Sequence, residues 1–333
     1  MKADAMKRRE FITLLGGTAA TWPLAARAQQ PERLRRIGYL DVGAEADRIS
    51  QAREGAMREG LAKLGWVEGR NVRFDVRDSA RDPDRLRAHV DELVRLAPDV
   101  IVVVSGPAAQ ALLQRARTIP IVFTTVGDPV AIGLLKNIAR PEGNATGITS
   151  QYQSLGGKWL ELLKEAAPRT TRVALIFAPD ILNDQYFGVI DAAADVLAIK
   201  AIRTPYRNAA ELERAIDAFA AEPNGALLMV PPPPSPSNQE LISRLAPKYR
   251  LPTIYANRYG AAEGGMISYG ADDVEASRTA ASYVDRILRG AKISELPVQF
   301  PTKFDLVINL KVAREIGLTI PEALLLRADQ LIE

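Results

Sequence analysis

A reaction needs a nucleophile, a proton acceptor or a metal, and the side chains that supply them are scarce in this chain. It has no cysteine and one histidine. The lack of cysteine removes disulfides, thiolate metal sites and a thiol nucleophile together. His89 lies inside DPDRLRAHVDELVRLAP, a helical pattern that predicts a solvated face for it. No Gly-x-Ser-x-Gly elbow stands ready to meet it. Nor is there a His-Glu-x-x-His, a P-loop, or a Gly-x-Gly-x-x-Gly after a strand. What remains is a set of hydroxyls, carboxylates, tyrosines and backbone amides at the ends of apolar runs. Such groups are suited to holding a small molecule.

Ser105-Gly106-Pro107-Ala108 is the most informative of these sites. Ser105 ends a buried run and can cap a helix, and Pro107 suits a first helical position. Gly106 permits close approach to the backbone, and the free N–H groups of a helix start accept a carboxylate. The same residues read equally well as a plain capped helix. Thr124-Thr125 puts two hydroxyls at a strand end, fitted to a polar or anionic group or simply to β-propensity. Asp128 before Pro129 is a turn former or an acceptor for a ligand ammonium. Asp41 ends the first apolar run. In the second half, Pro179-Asp180, Pro231 and Asn257 take corresponding places, with Gln151, Tyr152 and Tyr269 beside the expected crossings. Trp66 follows Gly65 just after a helix and Trp159 falls on the helical pattern GGKWLELLKEA; neither lies at a strand end, and both read as packing residues. Tyr152, Tyr186, Tyr255 and Tyr269 are better placed to stack on a ligand, which leans toward amino-acid-like or aromatic carboxylate ligands over sugars.

These loops matter only if strands bring them to one edge. Short β-branched runs at 36–40, 72–76, 100–104, 121–125 and 144–149 alternate with helical patterns at 48–64, 83–96 and 107–117. The rhythm restarts with helices at 155–166, 185–197, 209–221 and 238–249. Between them lie strands at 172–177, 201–204, 225–230, 252–255 and 266–269. Such alternation predicts α/β structure with two doubly wound parallel-sheet lobes. A helix at 273–289 and the closing segment 297–333 follow both arrays and can return across the boundary to complete each lobe. The predicted lobes are 29–148 plus 271–298 and 149–270 plus 299–333, joined by three crossings near 146–150, 269–272 and 298–302. A single open sheet and two rigidly docked domains are the alternatives. In open parallel sheets ligands bind beyond the carboxyl ends of the strands, which is where all these loops fall.

The N-terminus carries a different signal. Lys7, Arg8 and Arg9 precede an apolar run at 11–24, and Ala26 and Ala28 flank Arg27 in an A-x-A arrangement. Residues 1–28 read as a cleavable signal peptide, its run too short to span a hydrocarbon core. RREFI is similar to a twin-arginine export signal, with Lys7 and Thr13 as departures. The whole chain has 43 Lys+Arg and 40 Asp+Glu, and removing residues 1–28 leaves 38 of each. The basic balance therefore belongs to the signal and argues for neither nucleic-acid nor membrane-surface binding.

Read together, RREFITLLGG with AARAQQ, LAKLGWVEGRNVRFDVR, LAPDVIVV, TIPIVFTTVGDPV, NATGITS, GGKWLELLKEAAP, GGMISYG and RILRGAKISELPVQFPTKFDLVINLKVAREIGLTIP are specific in this order. With them the chain resembles the ABC transporter substrate-binding proteins of the tryptophan- and tyrosine-binding type, nearly end to end. The resemblance implies a type I periplasmic-binding fold with a three-crossing hinge, no cofactor, and no membrane insertion after cleavage. It also implies a soluble periplasmic protein without a lipid anchor, delivering a small solute to a permease powered by a separate ATPase. By position it implies ligand contacts from Ser105, Gly106, Thr124, Thr125 and Asp128 in one lobe and from Asn257 and Tyr269 in the other. Relatives often carry a threonine between the glycine and proline where this chain has Gly106-Pro107, and the proline run 231–234 is unusual. Ligand identity therefore does not carry over. The rivals are a binding protein that feeds a sensor kinase or chemoreceptor, and an exported α/β enzyme.

Overall fold

The computed structural model describes residues 34–149, 155–179, 184–231 and 234–333. The signal-peptide residues, including Arg8, Arg9, Ala26 and Ala28, lie outside the described residues, as do Gln151, Tyr152 and Asp180.

The first half builds one sheet. Its strands are β1 (Arg35–Asp41), β2 (Val72–Asp78), β3 (Val100–Val104), β4 (Ile121–Val126) and β5 (Ala145–Thr149), in the order β2-β1-β3-β4-β5 and all parallel. The sequence of β3, VIVVV, explains its central place: every residue is buried, as expected for a strand covered by helices on both faces. Helices α1 (Arg48–Lys63), α2 (Pro83–Arg95) and α3 (Gly106–Arg115) supply that cover. Ile37 and Tyr39 pack with Met57 and Leu61 on one face, while Leu40 packs with Val90 and Leu93 on the other.

The second sheet takes β6 (Arg172–Phe177), β7 (Lys200–Pro205), β8 (Gly225–Met229), β9 (Thr253–Tyr255) and β10 (Ile267–Ala271) in parallel. They alternate with α4 (Leu155–Ala166), α5 (Asp184–Val196), α6 (Ala209–Ala220) and α7 (Pro236–Lys248). One departure from the predicted all-parallel lobe lies in the closing segment. There β11 (Phe304–Asn309) pairs antiparallel with β10, and β12 (Gln330–Ile332) extends the edge, giving β12-β11-β10-β9-β8-β6-β7. The reason is directional: β11 enters from the hinge, so it runs against the strands that lead toward it. Two short helices, α9 (Leu310–Glu315) and α10 (Glu322–Leu325), complete the return.

Helix α8 (Asp273–Leu288) follows β10 of the second sheet yet packs on the first, against α1, β3, β4 and β5. Small residues allow it to come close. A Cβ on Gly60 would lie 2.7 Å from the Ala281 Cβ, so α1 carries no side chain there. The indole of Trp66 also donates to Asp285 Oδ1 at 2.8 Å, as a packing residue would. The first and third crossings run side by side: Thr149 N donates to Gln299 O at 2.9 Å, and Gln299 N to Gly147 O at 3.1 Å. Gly147 is required here, because a Cβ would sit 2.1 Å from the Phe123 carbonyl oxygen. The result is a pair of doubly wound α/β lobes joined by three adjacent strands of chain.

Candidate ligand-binding site

The first-lobe wall is built where β3 and β4 end side by side. Both ends are strained. Ser105 has φ +101° and ψ 151°, and Thr125 has φ +55°, conformations that L residues, and β-branched ones above all, adopt at a cost of about 1–3 kcal/mol each. Neighbouring strands hold them there, since Ser105 N donates to Thr124 O at 3.1 Å. The strain re-aims the side chains. Thr124 is fully buried, and the Thr124 and Thr125 hydroxyls are buried without a hydrogen-bond partner among the described residues. An unmet buried hydroxyl costs about 1–3 kcal/mol, so two adjacent ones at a strand end mark a place completed by something else.

The start of α3 follows directly. Helix formation begins at Gly106, so Pro107 occupies the second position and not the expected first. Pro107 has no N–H. That of Ala108 goes to Ser105 Oγ at 3.4 Å and that of Ala109 to Ser105 O at 3.1 Å. Gly106, the first helical residue, places its backbone at the strand end with no side chain over it. A larger residue there would press on Ile132, whose Cδ1 would stand 2.9 Å from its Cβ. Asp128 forms the turn that the sequence allowed. Its Oδ1 accepts from Val130 N at 2.9 Å and Ala131 N at 3.0 Å, fixing the turn, while its charge bears on the second lobe. The Tyr186 hydroxyl on α5 is pushed well above its usual pKa, first by burial and then by Asp128.

Asp41 departs from the expected role. It is fully buried, both oxygens engage Arg53 of α1 at 3.1 Å, and Oδ1 also accepts from Gly43 N at 2.8 Å. A carboxylate so committed supports the loop and leaves no lone pair for a ligand. Next to it, Asp78 is raised to about 6 by burial and then by the charges of Asp41, Glu54 and Glu45. His89 is half-buried on α2 with Nδ1 unpartnered. Burial, then the charges of Arg85 and Arg77, lower its pKa and keep it neutral.

The second-lobe wall is more self-contained. Asn257 Oδ1 accepts from Tyr259 N at 2.7 Å and Gly260 N at 2.9 Å, so its side chain shapes a turn and only the amide nitrogen remains to offer. Tyr269 is half-buried, its ring centroid 6.0 Å from that of Phe304, and its carbonyl accepts from the Trp159 indole at 2.9 Å. Trp159 is fully buried and packs on Tyr186 with ring centroids 5.8 Å apart. Tyr255, expected to stack on a ligand, is fully buried, with its hydroxyl taken by Gln239 Nε2 at 2.9 Å. Pro179 is half-buried at the end of β6, and Pro231 is buried.

Sequence reasoning passed over Arg81 and Glu263, both exposed. The Glu263 carboxyl is raised by burial and then Asp47, with Arg81 opposing, which places lobe-two Glu263 near two lobe-one charges. Arg81 follows Ala80, both at positive φ (+61° and +50°), a backbone state with no signature in Ala-Arg. Arg258 was marked only as the last residue of the strand-end loop Ala256-Asn257-Arg258, and Tyr259, directly after it, was unmarked; neither carries a motif.

Comparison with known proteins agrees with this architecture. A conserved domain protein of Vibrio cholerae O1 biovar eltor is 29% identical with a TM-score of 0.82, covering 90% of this chain and 100% of that one. A domain of Streptococcus pneumoniae solved with L-Trp reaches the same TM-score at 22% identity, again over 90% of this chain and 100% of the other. The fold is that of type I periplasmic binding proteins. The tyrosine-binding protein of Clostridioides difficile (strain R20291) is 25% identical over 287 residues, 84% of this chain and 79% of that protein. The family model described as ABC transporter substrate binding protein matches residues 42–332, nearly the whole of the described chain, and the protein belongs to that family.

Proposed function

We propose that the chain captures an amino acid, with aromatic ones preferred, between its two lobes and hands it to a membrane permease, performing no chemistry on it. The observation that carries this reading is the pair of strained strand ends with unpartnered Thr124 and Thr125 hydroxyls beside the helix start at Gly106. Two hydroxyl donors beside a helix start suit a carboxylate. Asp128, just past β4, is the carboxylate that would take the ammonium, and the half-buried Tyr269 ring of the second lobe would give an apolar surface for the side chain. Contacts from both lobes favour the closed form, and the permease reads that form. The tyrosine and L-Trp relatives support the ligand class.

Export follows the same reading. The 1–28 segment directs the chain to the periplasm, and no helix of the described residues is long and apolar enough to cross a membrane. Changing Arg8-Arg9 to Lys-Lys strands precursor in the cytoplasm if the twin-arginine route is used, and unchanged secretion refutes that route. The binding claim is tested by thermal unfolding of residues 29–333 with single amino acids, sugars and nucleosides. A ligand at 100 times its Kd adds about 2.7 kcal/mol, a rise of about 5 °C. Shifts confined to aromatic amino acids support the proposal. Shifts with sugars alone, or none with any amino acid, overturn it.

A further inference from the structure

The loop after β9 holds a cation whose partners lie on the second hinge crossing and on β11, just past the third. Arg258 Nη1 bonds Asp272 Oδ2, on the short link between β10 and α8, and lies 3.3 Å from Asp305 Oδ2 on β11. Asp305 is buried, and its other oxygen meets Lys303 Nζ at 2.8 Å in the third crossing. Asp272 does a second job. Its Oδ1 caps α8, accepting from Val274 N at 2.9 Å and Glu275 N at 3.1 Å, and it accepts the Tyr259 hydroxyl at 3.1 Å. Burial alone would raise the Asp272 carboxyl. The Glu275 amide and the Arg258 charge outweigh it and hold the pKa below the usual range. The guanidinium is itself tuned upward, because the two carboxylates overcome its desolvation.

The connectivity matters more than any one bond. Asn257, at the cleft, fixes Tyr259 and Gly260 through its Oδ1. Tyr259 and Arg258 grip Asp272, and Asp272 caps α8, which packs on the first lobe. A ligand-facing turn of one lobe is thus bonded, without a gap, to the helix start of the other. We infer that Arg258 is a hinge clasp: a positioning residue that couples the Asn257 turn to the angle between the lobes and so sets how much of the protein is competent to close. The inference rests on the two-lobe binding reading, but its primary test needs no ligand.

The chain has no cysteine, so Val67→Cys and Val196→Cys, exposed and one in each lobe, accept spin labels without background. Interlobe distances are measured by pulsed electron resonance in otherwise unchanged protein, in Arg258→Met and in Arg258→Lys. Arg258→Met keeps the stem's volume and loses the fork. The expected result without ligand is a broadened and shifted distribution for Arg258→Met, with Arg258→Lys in between. A distribution equal to that of the unsubstituted chain, even with a lowered unfolding temperature, overturns the clasp and leaves Arg258 as an ordinary ion pair. If Arg258→Met fails to unfold cooperatively, Asp305→Asn, which removes one arm, is judged by the same criterion. L-tryptophan binding is the second readout. If the competent fraction falls to a tenth, the apparent affinity falls about tenfold. Should L-tryptophan bind neither protein, the proposed ligand class fails while the distances still decide the clasp.

Discussion

The two walls of the cleft stand at corresponding strand ends but are finished differently. In the first lobe, Ser105 and Thr125 sit in strained backbone and the Thr124 and Thr125 hydroxyls are left without partners. In the second, Asn257 closes a turn, Tyr255 is held by Gln239, and Arg258 and Tyr259 are bonded to Asp272. One wall keeps its polar groups for a ligand, and the other has already used most of them on itself. This suits a division of labour. On the proposed binding reading, the first lobe would fix the polar head of the ligand on an unyielding parallel sheet, where misplacement is costly. The second would bring an aromatic surface and the hinge contacts, for which exact donor geometry matters less. The comparison makes a sharp claim: substitutions in the first wall should separate binding from stability, and those in the second should not.

Thr124→Val is the strongest test of that claim. Valine keeps the shape and removes a buried hydroxyl that has no partner, so the ligand-free protein should gain about 1 kcal/mol or stay level. Losing a charge-assisted hydrogen bond should weaken aromatic amino-acid binding about 10- to 100-fold. Calorimetric titration beside thermal unfolding reads both. Loss of stability and binding together would mean the hydroxyl serves the fold. Tyr269→Ala is the counterpart in the second wall. It opens space against Phe304 and removes the proposed stacking surface, so stability falls by about 2 kcal/mol and affinity by about tenfold. Unchanged affinity in a folded Tyr269→Ala protein would take that tyrosine out of the site. Thr125→Gly is smaller. It releases the positive-φ strain, worth about 1–2 kcal/mol, against the added freedom of glycine in the unfolded chain. The net expectation is a modest rise in unfolding temperature with about fivefold weaker binding.

The sequence showed the strand rhythm closely because each half repeats a β-branched run and a capped amphipathic helix. VIVVV at 100–104 and LGGKWLELLKEA at 155–166 leave little choice of element. The closing segment was less legible. FDLVIN passes into LKVARE with no Gly or Pro between, and its antiparallel pairing depends on where the chain comes from, which no local pattern records. The site divides along the same line. The strand-end rule singled out Thr124, Thr125 and Gly106 as candidates without any knowledge of their backbone. It could not see that Asp41 is neutralised by Arg53, twelve residues on, nor that Tyr255 points into the core. Both depend on which face a side chain takes once the helix has docked. The ion pairing of Arg258, which the strand-end rule placed only in the loop 256–258, was illegible for a related reason, since its partners Asp272 and Asp305 are distant in sequence and meet only at the hinge.

The smallest expected effect probes where the two walls join. Asp273, the first residue of α8, faces Arg53 of α1, Asp41 of β1 and its neighbour Asp272. Its carboxyl is raised to about 6 by burial first, with Arg53 opposing and Asp272 and Asp41 adding to it. Unfolded, the same carboxyl titrates near the ordinary value of about 3.9. Between those values the folded state holds the extra proton, so stability declines as pH rises from about 4 to about 6 and stays lower above. Its place in the first turn of a helix favours the charge, but burial prevails. Asp273→Asn has no proton to lose. Relative to the unsubstituted chain it should be level below pH 4 and more stable at pH 7.5, in the direction the linkage gives. Asp78, also near 6, keeps its own slope, so the stability profile flattens only in part. A full slope in Asp273→Asn would place the titration elsewhere. A drop in stability at neutral pH would show that the ionised Asp273–Arg53 pairing holds the hinge more firmly than burial weakens it, and the hinge would then be an ionic seam along its whole length.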